Sequence, residues 1–363
     1  MIRDFFKWTL KIIKAMFHKI EINSFRGIKY SKIEDLKQIN LFFGKNNCGK
    51  SSLLDAIFLI SGISNPKLPL NVNIIRNYRR LEPSDMKLDF YSLDMSSPIV
   101  IKAESDETRE LQISVVESSS SKVNLLGEDN DVVSTELDNK YGLLLKYKVD
   151  NRAYESSIIM SHSSDNSLEQ RIKMPAHYKE KLTCRYLNPK FDFTTSINGL
   201  VEVIKNKDED FIINALRLIE PRIKDFGLSQ NEVLVDIGLE KRIPINMMGD
   251  GARKILSILT SIYECKNGIV LIDELSNGFH YSVMKGLWRS ILSVAQKNKV
   301  QIFATTHDLD SIKGLRDAAV SCKKYGNSIA CFKLQSVTNA EVKSYQYSLD
   351  SVDYSLTQDI EIR

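Results

Sequence analysis

The chain has 363 residues, 43% of them hydrophobic, enough to fill the core of one large domain or two modest ones. Fifty Lys and Arg stand against 46 Asp and Glu, and the resulting +4 is too small to announce a nucleic-acid binder without a clustered patch. The five cysteines, Cys48, Cys184, Cys265, Cys322 and Cys331, are odd in number and scattered, which excludes a zinc knuckle or disulfide framework and leads us to expect free thiols in a reducing cytoplasm.

Taken in chain order, "MIRDFFKWTLKIIKAMFHKI" predicts an amphipathic helix over 1–19, with Arg3, Lys7, Lys11, Lys14 and His18 on one stripe and Phe5, Phe6, Leu10, Ile13 and Phe17 on the other. The lysines interrupt any secretory apolar core. We read an added helix that packs on the domain or on a partner; membrane-surface contact and a translation start at Met16 are the alternatives. "EINSFRGIKY" and "INLFFGK" read as strands, and "SSLLDAIFLIS" puts Leu53, Leu54, Ile57 and Ile60 at helical spacing. Alternating runs over 98–160, such as "IVIKAES", "ELQISVV" and "LLLKYKV", predict an antiparallel β lobe with "ESSSSK" and "GEDNDVVSTELDNK" as exposed loops.

A helical subregion is expected over 196–240, with Phe211, Ile212, Ala215, Leu216 and Ile219 on one face and Pro221 as a stop. Beyond Gly268, "GIVLIDE", "HYSVMKGLWRSILSVAQ" and "VQIFATTHD" alternate strand, helix and strand, and "IACFKLQ" with "VKSYQYS" forms a terminal hairpin. The fold class is therefore α/β: a mainly parallel sheet flanked by helices over 20–363, with the antiparallel lobe and the helical insertion added. No run of about 20 apolar residues offers a membrane span, and no internal repeat is found.

Chemistry concentrates at a few short stretches. "FGKNNCGKSS" lies between a strand and a helix, the context a phosphate-binding loop requires. Gly44 and Gly49 let backbone N–H groups of Lys45, Asn46, Asn47 and Cys48 turn inward; Lys50 reaches β and γ phosphates, Ser51 can ligate Mg²⁺, and Ser52 continues the helix start. "GIVLIDE" ends in Asp273, a candidate Mg²⁺ ligand, and Glu274, which can orient or deprotonate an attacking water. "QIFATTHD" delivers His307 to the same sheet edge, since ligands of open α/β sheets bind outside the carboxyl ends of the strands. Between these, "MMGDGARKILSILT" sets Gly249, Asp250 and Gly251 before a helix whose Ile255, Leu256, Leu259 and Ile262 share a buried side. Asp308 and Asp310 read as a helix cap, not as a metal-binding pair.

The order of these motifs resembles an ABC-type ATPase head. "EINSFRGIKY", "INLFFGKNNCGKSSLLDAIF", "GISNPKLPLNVNIIRNYR", "IPINMMGDGARKILSILTSI", "GIVLIDELSNGFHY" and "QIFATTHDLDSI" together resemble AAA-family ATPases of the OLD (overcoming lysogenization defect) type, with RecF and SMC heads as more distant relatives. The resemblance covers most of the chain from Ile20 onward. It implies ATP and Mg²⁺ as cofactors, and it implies that Lys50, Ser51, Asp273, Glu274 and His307 of one protomer meet Gly249, Asp250 and Gly251 of a second across sandwiched ATP. Asn277, Gly278 and His280 would lie at that seam. Met248 stands where transporter ATPases carry a signature serine, so a hydroxyl contact in trans is not implied.

The resemblance further implies an ATP-dependent homodimer or higher oligomer that controls a separate effector, such as a Toprim-like nuclease, in bacterial antiphage defence. Only 56 residues follow His307, too few for a Toprim domain in this chain. The rival reading is a RecF-like DNA repair or clamp-handling ATPase, with DNA as a further partner; a basic groove built from Arg76, Arg79 and Arg80 would support it, although "RNYRR" is more often a solvated loop edge or a nucleotide contact. A transporter motor would need a membrane partner.

Overall fold

Residues 16–76, 83–119, 139–162, 168–188, 197–230, 232–337 and 340–357 are described by the computed structural model. The helix expected over 1–19 lies outside these residues except for its last four, where 16–18 are irregular and Lys19 opens a strand. There Phe17 is buried and Ile20 and Ile22 alternate inward, so the local period is that of a strand.

The hairpin β1 (Lys19–Phe25) and β2 (Ile28–Ile33) precedes β3 (Ile39–Phe43), α1 (Lys50–Ser61) and α2 (Leu68–Ile75). A five-stranded meander follows: β4 (Ile99–Glu104), β5 (Thr108–Ser119), β6 (Asn139–Val149), β7 (Arg152–His162) and β8 (Leu168–Lys173). The antiparallel lobe thus extends past 160 to Lys173, because Ile158 of β7 pairs with Ile172. After β9 (Cys184–Leu187) come α3 (Ile197–Lys205), α4 (Asp210–Leu216), β10 (Asp225–Ser229), β11 (Glu232–Asp236), β12 (Ile243–Pro244) and α5 (Asp250–Glu264). The last third is β13 (Ile269–Ile272), α6 (Tyr281–Asn298), β14 (Gln301–Thr306), α7 (Leu309–Val320), β15 (Ile329–Ser336), β16 (Glu341–Tyr347) and α8 (Leu349–Thr357).

The subregion expected to be helical over 196–240 is helical only through Leu216; β10, β11 and β12 then form a small antiparallel sheet. Val233, Val235 and Ile237 are buried at two-residue spacing, and Phe226 pairs with Val235 across a turn at Gln230, whose φ is 53°. That period fits a strand and not a helix.

All other strands join one sheet in the order β8-β7-β6-β5-β4-β1-β2-β16-β15-β3-β14-β13-β9. Strands β9, β13, β14, β3 and β15 run parallel, and the meander continues the same sheet through β1. The central parallel strands β3, β13 and β14 are buried along their whole length because both faces are covered. Ile269 and Leu271 of β13 face one core, and Val270 and Ile272 face the other. Leu53, Leu54, Ile57 and Ile60 of α1 fill the first core; Leu256 and Leu259 of α5, Trp288 of α6 and Leu315 of α7 fill the second. Phe42 stacks between Phe303 and Phe332 at centroid distances of 6.3 and 5.3 Å, locking β3 between its neighbours. The carboxyl ends of β3, β14 and β13 consequently lie side by side.

Candidate functional site

The loop between β3 and α1 is shaped by positive φ at Gly44 (147°), Asn47 (61°) and Gly49 (92°). A Cβ on Gly44 would stand 2.4 Å from the carbonyl oxygen of Leu334, so glycine is required by contact as well as by conformation. Val342 of β16 lies 3.1 Å from the position a Gly49 Cβ would take. The β15-β16 hairpin therefore buttresses the loop from behind. Lys50 is buried, and its Nζ donates to the carbonyls of Gly44 and Lys45, both at 2.8 Å.

Ser51 Oγ donates to Asp273 Oδ1 at 3.2 Å, joining the head of α1 to the end of β13. Thr305 of β14 fixes both acidic neighbours. Its Oγ1 donates to Asp273 Oδ1 at 2.6 Å and accepts from the Glu274 backbone N–H at 2.9 Å. Glu274 itself adopts φ 50° and is half-buried. His307 is exposed just past β14. Asp308 Oδ1 accepts from the Asp310 N–H at 3.0 Å as the cap of α7, as the sequence predicts.

Gly249, Asp250 and Gly251 are set apart from this group, at the N-terminus of α5. Gly249 has φ 82°, and a Cβ there would meet nothing within 4 Å; Asp250 pairs with Arg253, and Gly251 packs on Ile219 and Phe279. Lys254 Nζ donates to the Asn277 carbonyl at 2.9 Å, so the head of α5 and the segment after the acidic pair form one rim. Met247 and Tyr281 on that rim are 71% and 65% exposed, whereas Met248 packs against the core.

The motifs do not reveal a charge network on the α1 side. Asp55, one turn after Ser51, is fully buried. It accepts from Arg26 Nη1, from Arg76 Nη2 (2.7 Å) and Nε (3.2 Å), and from the Tyr186 hydroxyl (2.8 Å). Arg26 also binds Asp89 and Asn73, while Arg76 Nη1 donates to Asp273 Oδ2 at 2.8 Å and Nη2 to the Ser51 carbonyl at 3.0 Å. Burial alone would lower the Arg76 pKa, but Asp55, Tyr186 and Asp273 together outweigh it and hold the guanidinium charged. Burial pushes Asp89 up to about 6 against the pull of Arg26. The RecF-like reading would place Arg76 in a basic groove; it faces inward instead, paired with the buried carboxylates of Asp55 and Asp273. Arg79 and Arg80 lie outside the described residues. Arg26, Ser51, Asp55, Asn73 and Arg76, with Ser52, Phe90 and Leu93, line a cleft of about 530 Å³ beside the loop.

All five cysteines are free thiols. Burial raises Cys265 and Cys331 to about 12, so neither serves as a nucleophile at neutral pH. Among the described residues no helix is long and apolar enough to cross a membrane.

Residues 39–312 match the family described as "AAA domain, putative AbiEii toxin, Type IV TA system". Over 346 residues the chain is 24% identical to an "ATP/GTP phosphatase" of Helicobacter pylori, across 88% of this chain and 92% of that protein. An SMC head bound to the C-terminal winged-helix domain of ScpA aligns over 94% of this chain and 100% of its own at 12% identity and a TM-score of 0.48. An SMC head with an extended coiled coil, bound to the C-terminal domain of ScpA from Pyrococcus furiosus, aligns over 95% and 99% at 10% identity and a TM-score of 0.45. The family match runs from β3 through the loop, α1, the acidic strand end and β14 into α7, and the chain belongs to this AAA-domain ATPase family.

Proposed function

We propose that the protein binds ATP and hydrolyses it to ADP and phosphate. The observation that carries this reading is the 3.2 Å contact between Ser51 Oγ and Asp273 Oδ1, at the head of a helix that begins directly after the glycine loop. The loop shaped by positive φ at Gly44, Asn47 and Gly49, and the dipole of the helix that follows it, suit phosphate oxygens. Lys50 exchanges its two carbonyl partners for β and γ oxygens, a stronger charge-assisted pairing. A hydroxyl and a carboxylate are hard oxygen donors of the kind Mg²⁺ takes alongside phosphates, so Ser51 and Asp273 fit as its protein ligands. When bound there, Mg²⁺ neutralises charge on the β and γ phosphates. Glu274, its backbone tied to Thr305, positions and deprotonates the attacking water. His307 senses the γ-phosphate.

Gly249, Asp250 and Gly251 act on the nucleotide of a second copy. The open helix N-terminus and the exposed Met247 and Tyr281 beside it support this assembly. Met248 is committed to the core, so the trans contact relies on backbone N–H groups. We further propose that nucleotide-dependent closure holds and controls a separate effector, a nuclease or toxin, in antiphage defence in the cytoplasm. The family's description in terms of toxin–antitoxin systems and the OLD-type motif order support it. The RecF-like alternative loses one expected support, because Arg76 is neutralised inside the site.

Glu274→Gln is the decisive test. ATP affinity by titration calorimetry should survive while turnover falls by roughly 10²–10⁴, and the effector encoded beside the gene should be held more stably on the ATP-loaded variant. Wild-type turnover would refute the base assignment. Failure of the wild-type protein to bind ATP would refute the nucleotide reading, and salt-dependent DNA binding without an effector would favour the alternative.

A further inference from the structure

We infer that Arg76 is an internal competitor for the metal side of the nucleotide site: its guanidinium holds Asp273 while no metal is bound and must release that carboxylate before Ser51 and Asp273 can share a divalent cation. The inference rests on the proposed assignment of those two residues. It is carried by the hydrogen-bond arrangement around Asp273. Asp273 Oδ1 is already taken by Thr305 at 2.6 Å and Ser51 at 3.2 Å, and Oδ2 is capped by Arg76 Nη1 at 2.8 Å. Asp273 is buried, so its unpaired charge would be costly, and a fixed guanidinium supplies the missing cation.

Release is local. Arg76 gives up one hydrogen bond to Asp273 and keeps those to Asp55, Tyr186 and the Ser51 carbonyl, so neither the guanidinium nor Asp55 is left unpaired. The ring of Tyr186, 5.8 Å from the guanidinium carbon, keeps the cation in place. The consequence is a threshold. A free divalent ion has to displace a preorganised cation at the cost of one buried pairing, whereas an ion arriving with nucleotide brings phosphate oxygens that repay the exchange. Metal and nucleotide therefore enter together, and the site stays closed to metal alone.

The test is binding of Mn²⁺ alone to the full chain without nucleotide, read from the free-ion electron paramagnetic resonance signal, in wild type and Arg76→Met. Methionine keeps the stem and removes the cation. We expect no saturable binding to wild type at sub-millimolar Mn²⁺ and one site on Arg76→Met that is at least tenfold tighter, lost again in Arg76→Met with Asp273→Asn. Thermal unfolding should show Mn²⁺ raising the melting temperature of Arg76→Met and leaving wild type unchanged. If Arg76→Met does not fold, Arg76→Lys, whose compact ammonium reaches one carboxylate but not both, should bind Mn²⁺ more tightly than wild type. Equal Mn²⁺ affinity in wild type and the folded variant overturns the inference. ATP binding measured with Mg²⁺ present separates the two levels: if wild type binds ATP but Mn²⁺ affinity ignores Arg76, only this inference fails, and if ATP with Mg²⁺ does not bind, the nucleotide reading itself fails.

Discussion

Removing the Asp55 carboxylate tests whether the buried charge network, and not packing alone, holds the α1 side of the site. The side chain is fully buried and serves two guanidiniums and a tyrosine hydroxyl. Truncating one partner of a buried ion pair costs about 3–5 kcal/mol, because the charges left behind keep their desolvation cost. Arg26 retains Asp89 and Arg76 retains Asp273, so Asp55→Ala should sit at the lower end, about 3 kcal/mol. Asp55→Asn preserves volume and one acceptor oxygen and should lose roughly 1–3 kcal/mol. Urea unfolding followed by circular dichroism reads both as a lower midpoint at unchanged slope. Combining Asp55→Ala with Arg26→Met should cost less than the two separate losses together, since each removes the other's partner. A loss under about 1 kcal/mol for Asp55→Ala, or strict additivity in the pair, would refute the claim that these charges stabilise one another.

Lys50→Ala should abolish ATP binding in a calorimetric titration, because the phosphate charge loses its ammonium partner; unchanged affinity would remove the phosphate loop from the site. Gly249→Glu should leave a folded chain that still binds ATP, at a strain cost of about 1–3 kcal/mol for a side chain at φ 82° and ψ 175°. Its hydrolysis should fall because a carboxylate would stand near the partner's γ-phosphate, and wild-type hydrolysis would argue against a trans role. Burial raises Asp89 from 3.8 to about 6, so the folded chain binds this proton more tightly than the unfolded chain. Its contribution is therefore full below pH 3.8 and lost as pH rises through 6, on the order of 3 kcal/mol. Asp89→Asn should lack that slope, and parallel stability curves for the two proteins between pH 4 and 7 would contradict the shift.

The parts of the fold that read cleanly from sequence are those in which local pattern and tertiary environment agree. "INLFFGK" and "GIVLIDE" are short apolar runs beside a glycine loop and an acidic pair, and β3 and β13 are central strands buried on both faces. The terminal hairpin was equally legible, and β15 and β16 pair antiparallel from Cys331 to Ser336. What composition and spacing do not show is that this hairpin supports the glycine loop. That role depends on Leu334 and Val342 meeting Gly44 and Gly49 across nearly the whole length of the chain. The region after Leu216 misled for a different reason. Two short helices set an expectation of further helix, although "DFGLS" and "EVLVD" already alternate at the period of a strand.

The site divides along the same line. Lys50, Ser51, Asp273, Glu274 and His307 follow from strand ends that a parallel sheet must bring together, because the topology forces β3, β14 and β13 side by side. Asp55 carried one faint signal, an acidic residue inside the apolar run "LLDAIFLI", four positions after Ser51 and hence on the same helix face. Nothing local marks Arg26, Arg76 or Tyr186 as its partners. They come from the β1-β2 turn, the end of α2 and the edge strand β9, between which no fixed spacing operates. A motif therefore names the atoms that suit a phosphate, while the charges that hold those atoms before any phosphate arrives are set by packing. For Arg76 this decided the outcome: a run of arginines reads as surface charge, and the first of them is drawn inward by two buried carboxylates that only the folded chain brings within reach.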